Sequence, residues 1–201
     1  LISLLSRWSG GMLTRFGTRP PLIAGPLIAA AGFALFAIPT VGGSYWNTFF
    51  PAVAVLGLGM AITIAPLTTT VMSAVEQDRA GIASGVNNAV ARSAGLLAIA
   101  VLGIVMLQVF GHALDRNLRT APFPFVAIQA LNAEKSKLAA ADLPPEFDPL
   151  TRRLARIAVD RSFITGFRTI MSIGAALSLA GAVTALLLIA GKPKADRRLK
   201  S

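Results

Sequence analysis

Apolar residues occur along the chain in long blocks that are separated by short polar stretches. Four blocks are long enough for a helix to cross a hydrocarbon core of ~30 Å: Leu22 to Val41, Phe49 to Val75, Gly81 to Leu107 and Thr169 to Ala190. Segments such as LIAAAGFALFAI lack the apolar and polar alternation of a transmembrane barrel strand. Because backbone groups in lipid must be satisfied within each segment, the blocks predict an all-α integral membrane fold.

The same pattern divides the chain into three parts. Residues 1–107 hold the end of one span, read from LISLLSRWSGGM, and three transmembrane helices, so we expect a fragment of a longer chain. Residues 108–168 form a long polar loop, in which FVAIQALNAEKSKLAAAD and LTRRLARIAVDRSF predict amphipathic helices. Residues 169–201 hold the last transmembrane helix and a basic tail.

The positions of Lys and Arg predict the orientation of the spans. The segment 13–21 carries Arg15 and Arg19 without an acid, and the tail KPKADRRLK is also basic, so both are expected in the cytoplasm. The uncharged turn at 42–48 contains Tyr45 and Trp46, which are typical of an outer aromatic belt. The loop at 76–79 then lies inside and the long loop lies outside.

Composition supports a membrane protein and disfavours several other classes. The chain is 54% hydrophobic and 14% charged, with a mean hydropathy of +0.67. Its net charge of +10 lies between and after the spans rather than on a soluble module, so we expect no nucleic-acid binding. Cysteine is absent and His112 is the single histidine, with no partners spaced for a metal. The segment GLGMAI lacks the third glycine of a dinucleotide fingerprint, and we expect no cofactor and no enzyme activity.

Small and polar residues recur at helical spacing in two spans. In the second span Thr63 shares a face with Gly59, and Pro66 predicts a kink. One face of the third span carries the following residues: Gly81, Ser84, Gly85, Asn88, Arg92, Gly95, Ile99 and Gly103. An arginine inside a span faces the protein interior or a water-filled cavity. Thr63, Asn88 and Arg92 are therefore candidates for lining a cavity.

Helix packing offers a second interpretation of the same stripes. Glycine and serine are common where membrane helices meet, and Asn88 can bond a neighbouring helix while Arg92 extends towards the cytoplasmic surface. Gly174, Ser178 and Gly181 in the last span are interpreted as packing residues only. No span contains Asp or Glu, so a carboxylate that carries protons through the membrane is expected outside this chain.

The segment SGGMLTRFGTR before the first full span combines glycines with arginines at a short turn. Its GGMLTRFGTR part resembles the loop Gly-x-Leu-Ala-Asp-Arg-x-Gly-x-Arg of the major facilitator superfamily, matching at Gly10, Arg15, Gly17 and Arg19. Thr14 replaces the usual Asp and Met12 the usual Leu. Three further stretches are similar to late spans of the fourteen-helix drug:proton antiporter branch: GLGMAITIAPLTTTVMSAV, DRAGIASGVNNAVARSAGLLAIAVLG and SFITGFRTIM.

The resemblance implies a C-terminal fragment that contains helices eleven to fourteen of a transporter in the plasma (inner) membrane. It implies proton-coupled export of drugs or amphipathic small molecules by alternating access, with the loop residues acting as a gate. The partners would be substrate, protons, lipid and the missing N-terminal half of the transporter. Two alternatives are a membrane scaffold that binds partner helices, and a lipid-modifying membrane enzyme, which would need clustered acids or histidines.

Overall fold

A computed structural model of the chain describes residues 19–38, 45–73, 75–120 and 122–188. These ranges contain α1 (Arg19–Phe36), α2 (Tyr45–Thr48), α3 (Phe50–Ser73), α4 (Ala80–Arg119), α5 (Phe125–Ala133) and α6 (Pro149–Leu188), with 3-10 helices at Gln77–Arg79 and Lys135–Ala140. Four helices, α1, α3, α4 and α6, are long and apolar enough to cross a membrane, which confirms the predicted all-α membrane fold. The predicted end of a fifth span, residues 1–12, lies outside the described ranges.

Helix α1 lies between α3 and α6 and packs along both. Its first turn contains two prolines, Pro20 and Pro21, which helix starts tolerate because the first N–H groups have no partner within the helix. Buried glycines allow the backbones of α1 and α3 to approach closely. A Cβ atom added at Gly32 would lie 2.6 Å from the backbone nitrogen of Leu56, which leaves room for glycine only.

Helix α4 packs very differently along its length. It has 40 residues and is therefore ~60 Å long, about twice the hydrocarbon thickness. Its C-terminal part packs against α6, where the Met106 sulfur lies 2.6 Å from the position of a Cβ atom added at Gly166. Its N-terminal part, residues 80–104, is mostly exposed, and α4 packs only slightly against α3. One helix thus has a packed C-terminal part and an uncovered N-terminal part.

Both boundaries predicted for the long loop fall inside continuous helices. The helix of the third span, predicted over 81–107, continues in α4 to Arg119. The amphipathic helix predicted over 150–163 is continuous with the last span in α6, Pro149–Leu188. The reason is an apolar face that continues beyond the membrane: Phe110, Leu114 and Leu118 recur every four residues and are buried. Hydropathy marks the end of the membrane span, whereas the helix ends where this face ends.

Residues 108–168 form a folded module, the cap, with its own hydrophobic core. Leu131 of α5 packs there with Phe110 and Leu114 of α4 and Val159 of α6. The surface helix predicted over 125–142 is wrong in part, because α5 ends at Ala133 and a 3-10 helix follows. Leu138 within it has φ 53°, a left-handed conformation that interrupts regular helix.

Polar contacts tie the connecting segments of the cap to its two long helices. Lys135 forms an ion pair with Asp115 of α4 at 2.7 Å. At the start of α6, the Thr151 backbone N–H donates to Asp148 Oδ1 at 2.9 Å, as at a helix N-cap. Hydrogen bonds from the Thr151 side chain and backbone lower the pKa of the exposed Asp148 carboxyl below its usual value.

The α1 to α3 interface gives a test of the membrane packing. We expect Gly32→Ala to destabilise the purified protein by about 1–3 kcal/mol, because the backbone of Leu56 has to move. Nothing lies within 4 Å of a Cβ added at Gly181, so Gly181→Ala should be neutral or gain up to about 1 kcal/mol of helix propensity. Thermal unfolding in detergent measures both, and equal midpoints for the two variants would contradict this packing.

The cap core gives a second test. Leu131 is 0% exposed and Leu150 is 66% exposed, so Leu131→Ala should destabilise the cap by about 2–5 kcal/mol and Leu150→Ala by about 0.5 kcal/mol or less. Hydrogen exchange of residues 110–118 and 155–159 reports the change, since these segments line the same core. Unchanged exchange in Leu131→Ala would show that this core does not stabilise the cap.

Candidate functional site

The last residue of the predicted loop motif contacts the opposite end of the chain. Arg19 is the first residue of α1, and its Nη2 donates a hydrogen bond to the Leu186 carbonyl oxygen at 2.8 Å, in the last turn of α6. A cation is favourable there because carbonyls at a helix C-terminus carry partial negative charge. The other motif residues, Gly10, Arg15 and Gly17, lie outside the described ranges.

A second arginine makes the matching contact where α1 ends. Arg168 of α6 donates to the Ile38 carbonyl oxygen at 3.1 Å, just beyond the end of α1. Helices α1 and α6 are antiparallel, so each supplies an arginine to the C-terminal end of the other. Sequence reasoning missed Arg168, since its acceptor is a backbone carbonyl that no side-chain pattern reveals.

Thr63 lines a cavity, but its hydroxyl is already engaged. Its Oγ1 donates to the Gly59 carbonyl at 2.8 Å. The cavity has a volume of about 330 Å³ and is almost wholly apolar. It lies among three spans and is lined by Pro26, Ala29, Phe33, Leu56, Met60, Thr63, Ile64, Ser178 and Gly181. The arrangement suits an apolar group rather than a polar one.

Pro66 is buried within α3, and the helix continues on both sides of it. Proline has no backbone N–H, so it leaves a carbonyl one turn earlier without its helical partner. Thr68 Oγ1 donates to the Ile64 carbonyl at 3.1 Å, and Thr70 Oγ1 donates to the Pro66 carbonyl at 2.8 Å. Threonine hydroxyls therefore bond backbone carbonyls in the turn around the proline. The kink itself stays a prediction.

Asn88 and Arg92 lie on the uncovered N-terminal part of α4, and neither lines the apolar cavity beside Thr63. Both side chains are exposed, and neither has a hydrogen-bond or ion-pair partner among the described residues. Cβ atoms added at the glycines of this helix face would have no neighbour within 4 Å: Gly81, Gly85, Gly95 and Gly103. The described chain thus brings Asn88 and Arg92 onto one helix but not together with Thr63.

His112 lies in the cap, beside an ion pair. Its Nδ1 is 2.7 Å from the Gln108 carbonyl oxygen, and it shares a shallow cavity of about 290 Å³ with Asp115 and Lys135. Because Lys135 already neutralises Asp115, this cavity presents little net charge. No group of three potential metal ligands occurs among the described residues.

Long apolar helices joined through glycines and polar backbone contacts define a multi-pass helical membrane protein. Its relatives are membrane transporters rather than enzymes. The chain is 27% identical over 191 residues to the tetracenomycin C resistance and export protein of Streptomyces glaucescens. It is 27% identical over 195 residues to the multidrug resistance protein Stp of Mycobacterium tuberculosis. These relatives confirm the predicted resemblance to major facilitator drug transporters.

The extent of these matches is uneven. They include 92% and 94% of this chain, yet the chain spans only 35% of the length of each of these relatives. A triacylglyceride transporter of Mycolicibacterium smegmatis is 32% identical over 128 residues, which is 55% of this chain and 21% of that protein. No family model matches the chain.

The paired arginine contacts give a test in which each end of the α1 to α6 contact is weakened separately. In Arg19→Gln the last carbonyls of α6 lose a charged donor, so amide exchange at residues 184–188 should rise a few-fold, for an exposed bond of about 1 kcal/mol. Arg168→Gln serves as the reciprocal control, since it should loosen residues 36–38 at the C-terminal end of α1. Exchange that stays unchanged at 184–188 in Arg19→Gln would remove this role for Arg19.

Proposed function

We propose that this chain is the C-terminal part of a secondary transporter that exports drugs or other amphipathic small molecules by alternating access. Proton influx drives the export. The protein lies in the plasma (inner) membrane, with the Arg19 end of α1 and the basic tail in the cytoplasm. The remaining, N-terminal part of the transporter is its main protein partner. Support comes from the relatives named above, whose printed names are those of resistance and export proteins.

The observation that carries the proposal is the exposed Arg92 in the middle of an apolar span. A charge near the bilayer centre costs from about 2.5 kcal/mol upward, so such a residue faces a protein interior or water. In this chain the whole face around Arg92 is uncovered, including Asn88 one turn before it. A water-filled pathway bounded by α4 and by the N-terminal part of the transporter satisfies both residues.

The packing supports a division into a rigid unit and an interface helix. Helix α1 joins α3 and α6 through glycine contacts and the arginine bonds at both ends. The N-terminal part of α4 is only lightly attached to this unit. Alternating access moves helix bundles against each other around a central site, and in this proposal the α4 face lies at the moving boundary while Arg19 stabilises the rigid side.

The substrate class rests on apolar surface together with the cationic residue. The cavity that contains Thr63 offers almost only apolar atoms, whereas the α4 face offers an amide and a guanidinium. An amphipathic compound can use both kinds of surface. The spans contain no Asp or Glu, so the group that carries the proton belongs to the N-terminal part of the transporter.

Arg92 provides the decisive mutation. In the full-length transporter Arg92→Ala should reduce gradient-driven export at least about tenfold, a change of about 1.4 kcal/mol in the rate-limiting step, while the amount of protein in the membrane stays unchanged. Arg92→Lys keeps the charge and should retain part of the activity. Drug efflux from inverted vesicles, with and without a protonophore, measures both effects.

Arg116→Ala is the matched control, because Arg116 lies on the same helix but in the cap. It should leave export near the wild-type rate. Full export by Arg92→Ala would assign Arg92 to anchoring or packing. If the full-length wild-type protein accumulates in the membrane but shows no gradient-dependent efflux, the membrane scaffold would be favoured instead.

A further inference from the structure

The cap contains a cavity of a different character from the one beside His112. Its volume is about 190 Å³, and it lies between the end of α4 and the first half of α6. Apolar side chains form most of its wall, and Arg161 is the one charged residue among those that line it. The lining residues are Asn117, Thr120, Phe123, Leu154, Ile157, Ala158 and Arg161.

The neutral polar groups of this cavity are bonded to one another. Asn117 Nδ2 donates to Ser162 Oγ at 2.8 Å, and the buried Ser162 donates in turn to the Ala158 carbonyl at 2.6 Å. Thr120 Oγ1 donates to the Asn117 carbonyl at 2.9 Å. These bonds fix the end of α4 against α6, so the cavity is held in place before any ligand arrives.

Arg161 is the exception to this pattern. Two other arginines in the first half of α6 are engaged, since Arg152 donates to the Phe147 carbonyl and Arg156 pairs with Asp160 at 3.1 Å. Within the described chain Arg161 has no hydrogen bond or ion pair. A guanidinium keeps its charge at all physiological pH values and matches the geometry of carboxylate and phosphate oxygens.

The position of the cavity places it close to the outer membrane surface. Arg168 marks that surface, because it donates to the Ile38 carbonyl just beyond the end of α1. Phe36 in the last turn of α1 contacts Phe49, which stacks on Tyr45 of the predicted aromatic belt. Arg161 lies seven residues before it on one continuous helix, which is ~10 Å further from the membrane. The apolar residues Ile157 and Leu154 lie about one and two turns further out, respectively, along the same face.

We propose that this cavity binds the anionic group of an amphiphile, a carboxylate or phosphate, on Arg161 with a short apolar chain against Phe123, Leu154 and Ile157. The volume is below the ~300–1,000 Å³ of sites for drug-sized ligands, so the site takes a head group and a few carbons. The His112 cavity is the weaker candidate, because its ammonium and carboxylate neutralise each other. The site is separate from the α4 face and does not depend on transport.

The test uses the full-length transporter in phosphatidylcholine nanodiscs and a diazirine derivative of octanoate as a photo-cross-linking probe. We expect labelling of peptides that contain residues 117–123 and 154–161. Octanoate and octyl phosphate should compete with the probe, whereas octanol lacks the charge and acetate lacks the chain, so neither should compete. Added phosphatidylglycerol identifies the source of the ligand: competition indicates a lipid head group, and its absence indicates a free amphiphile.

Arg161→Gln should reduce labelling of these peptides about fivefold or more, as for loss of a charged contact at an exposed site. Arg153→Gln is the matched control, because Arg153 is also exposed, lies on the same helix and does not line the cavity. An equal loss of labelling in both variants would show that surface charge in general attracts the probe, and it would overturn the proposal. Absence of wild-type labelling, or equal competition by octanol, would overturn it as well.

Discussion

Close packing of α1 against both α3 and α6 is the constraint on which the membrane part of the structure depends. Gly32 and Gly59 leave no room for a side chain at the α1 to α3 contact. Lipid is as apolar as the helices, so association depends on such close packing and on polar bonds. The carbonyls of Leu186 and Ile38, near the C-terminal ends of α6 and α1, each receive an arginine from the other helix. Glycine packing along α1 and an arginine hydrogen bond at each end of its contact with α6 therefore hold α1 to its neighbours.

The cap depends on a different force. Its helices extend beyond the lipid, where burial of apolar surface from water does favour association. Phe110, Leu114 and Val159 are fully buried there, although the cap also carries many charges. Helices α4 and α6 thus run without a break from the apolar spans into the cap. Close contacts at glycines hold the spans, whereas a buried apolar core holds the cap. Two unbroken helices thus join the cap to the spans.

The sequence predicted the four spans and missed where their helices end. Hydropathy finds windows of apolar residues, but the extension of α4 to Arg119 depends on a face that is buried by α5 and α6, far along the chain. The helix that periodicity favoured over 125–142 ends at Ala133, and the 3-10 helix that follows contains Leu138 with a positive φ. The candidate site was predicted one residue at a time. Helix packing separates Thr63 from Arg92, and this packing cannot be read from either helix alone. The partner of Arg19 is a backbone carbonyl, which leaves no pattern of side chains in the sequence.

The arginines of this chain can be ordered by what their guanidinium groups contact. Arg19 and Arg168 are bonded to carbonyls at helix ends, where they stabilise structure. Arg92 and Arg161 have no partner in the described chain, and both lie on surfaces with apolar neighbours. The spans contain no acid that could neutralise Arg92. Arg92 on the uncovered face of α4 and Arg161 at the cap cavity are therefore the two arginines for which we propose a partner outside this part of the chain.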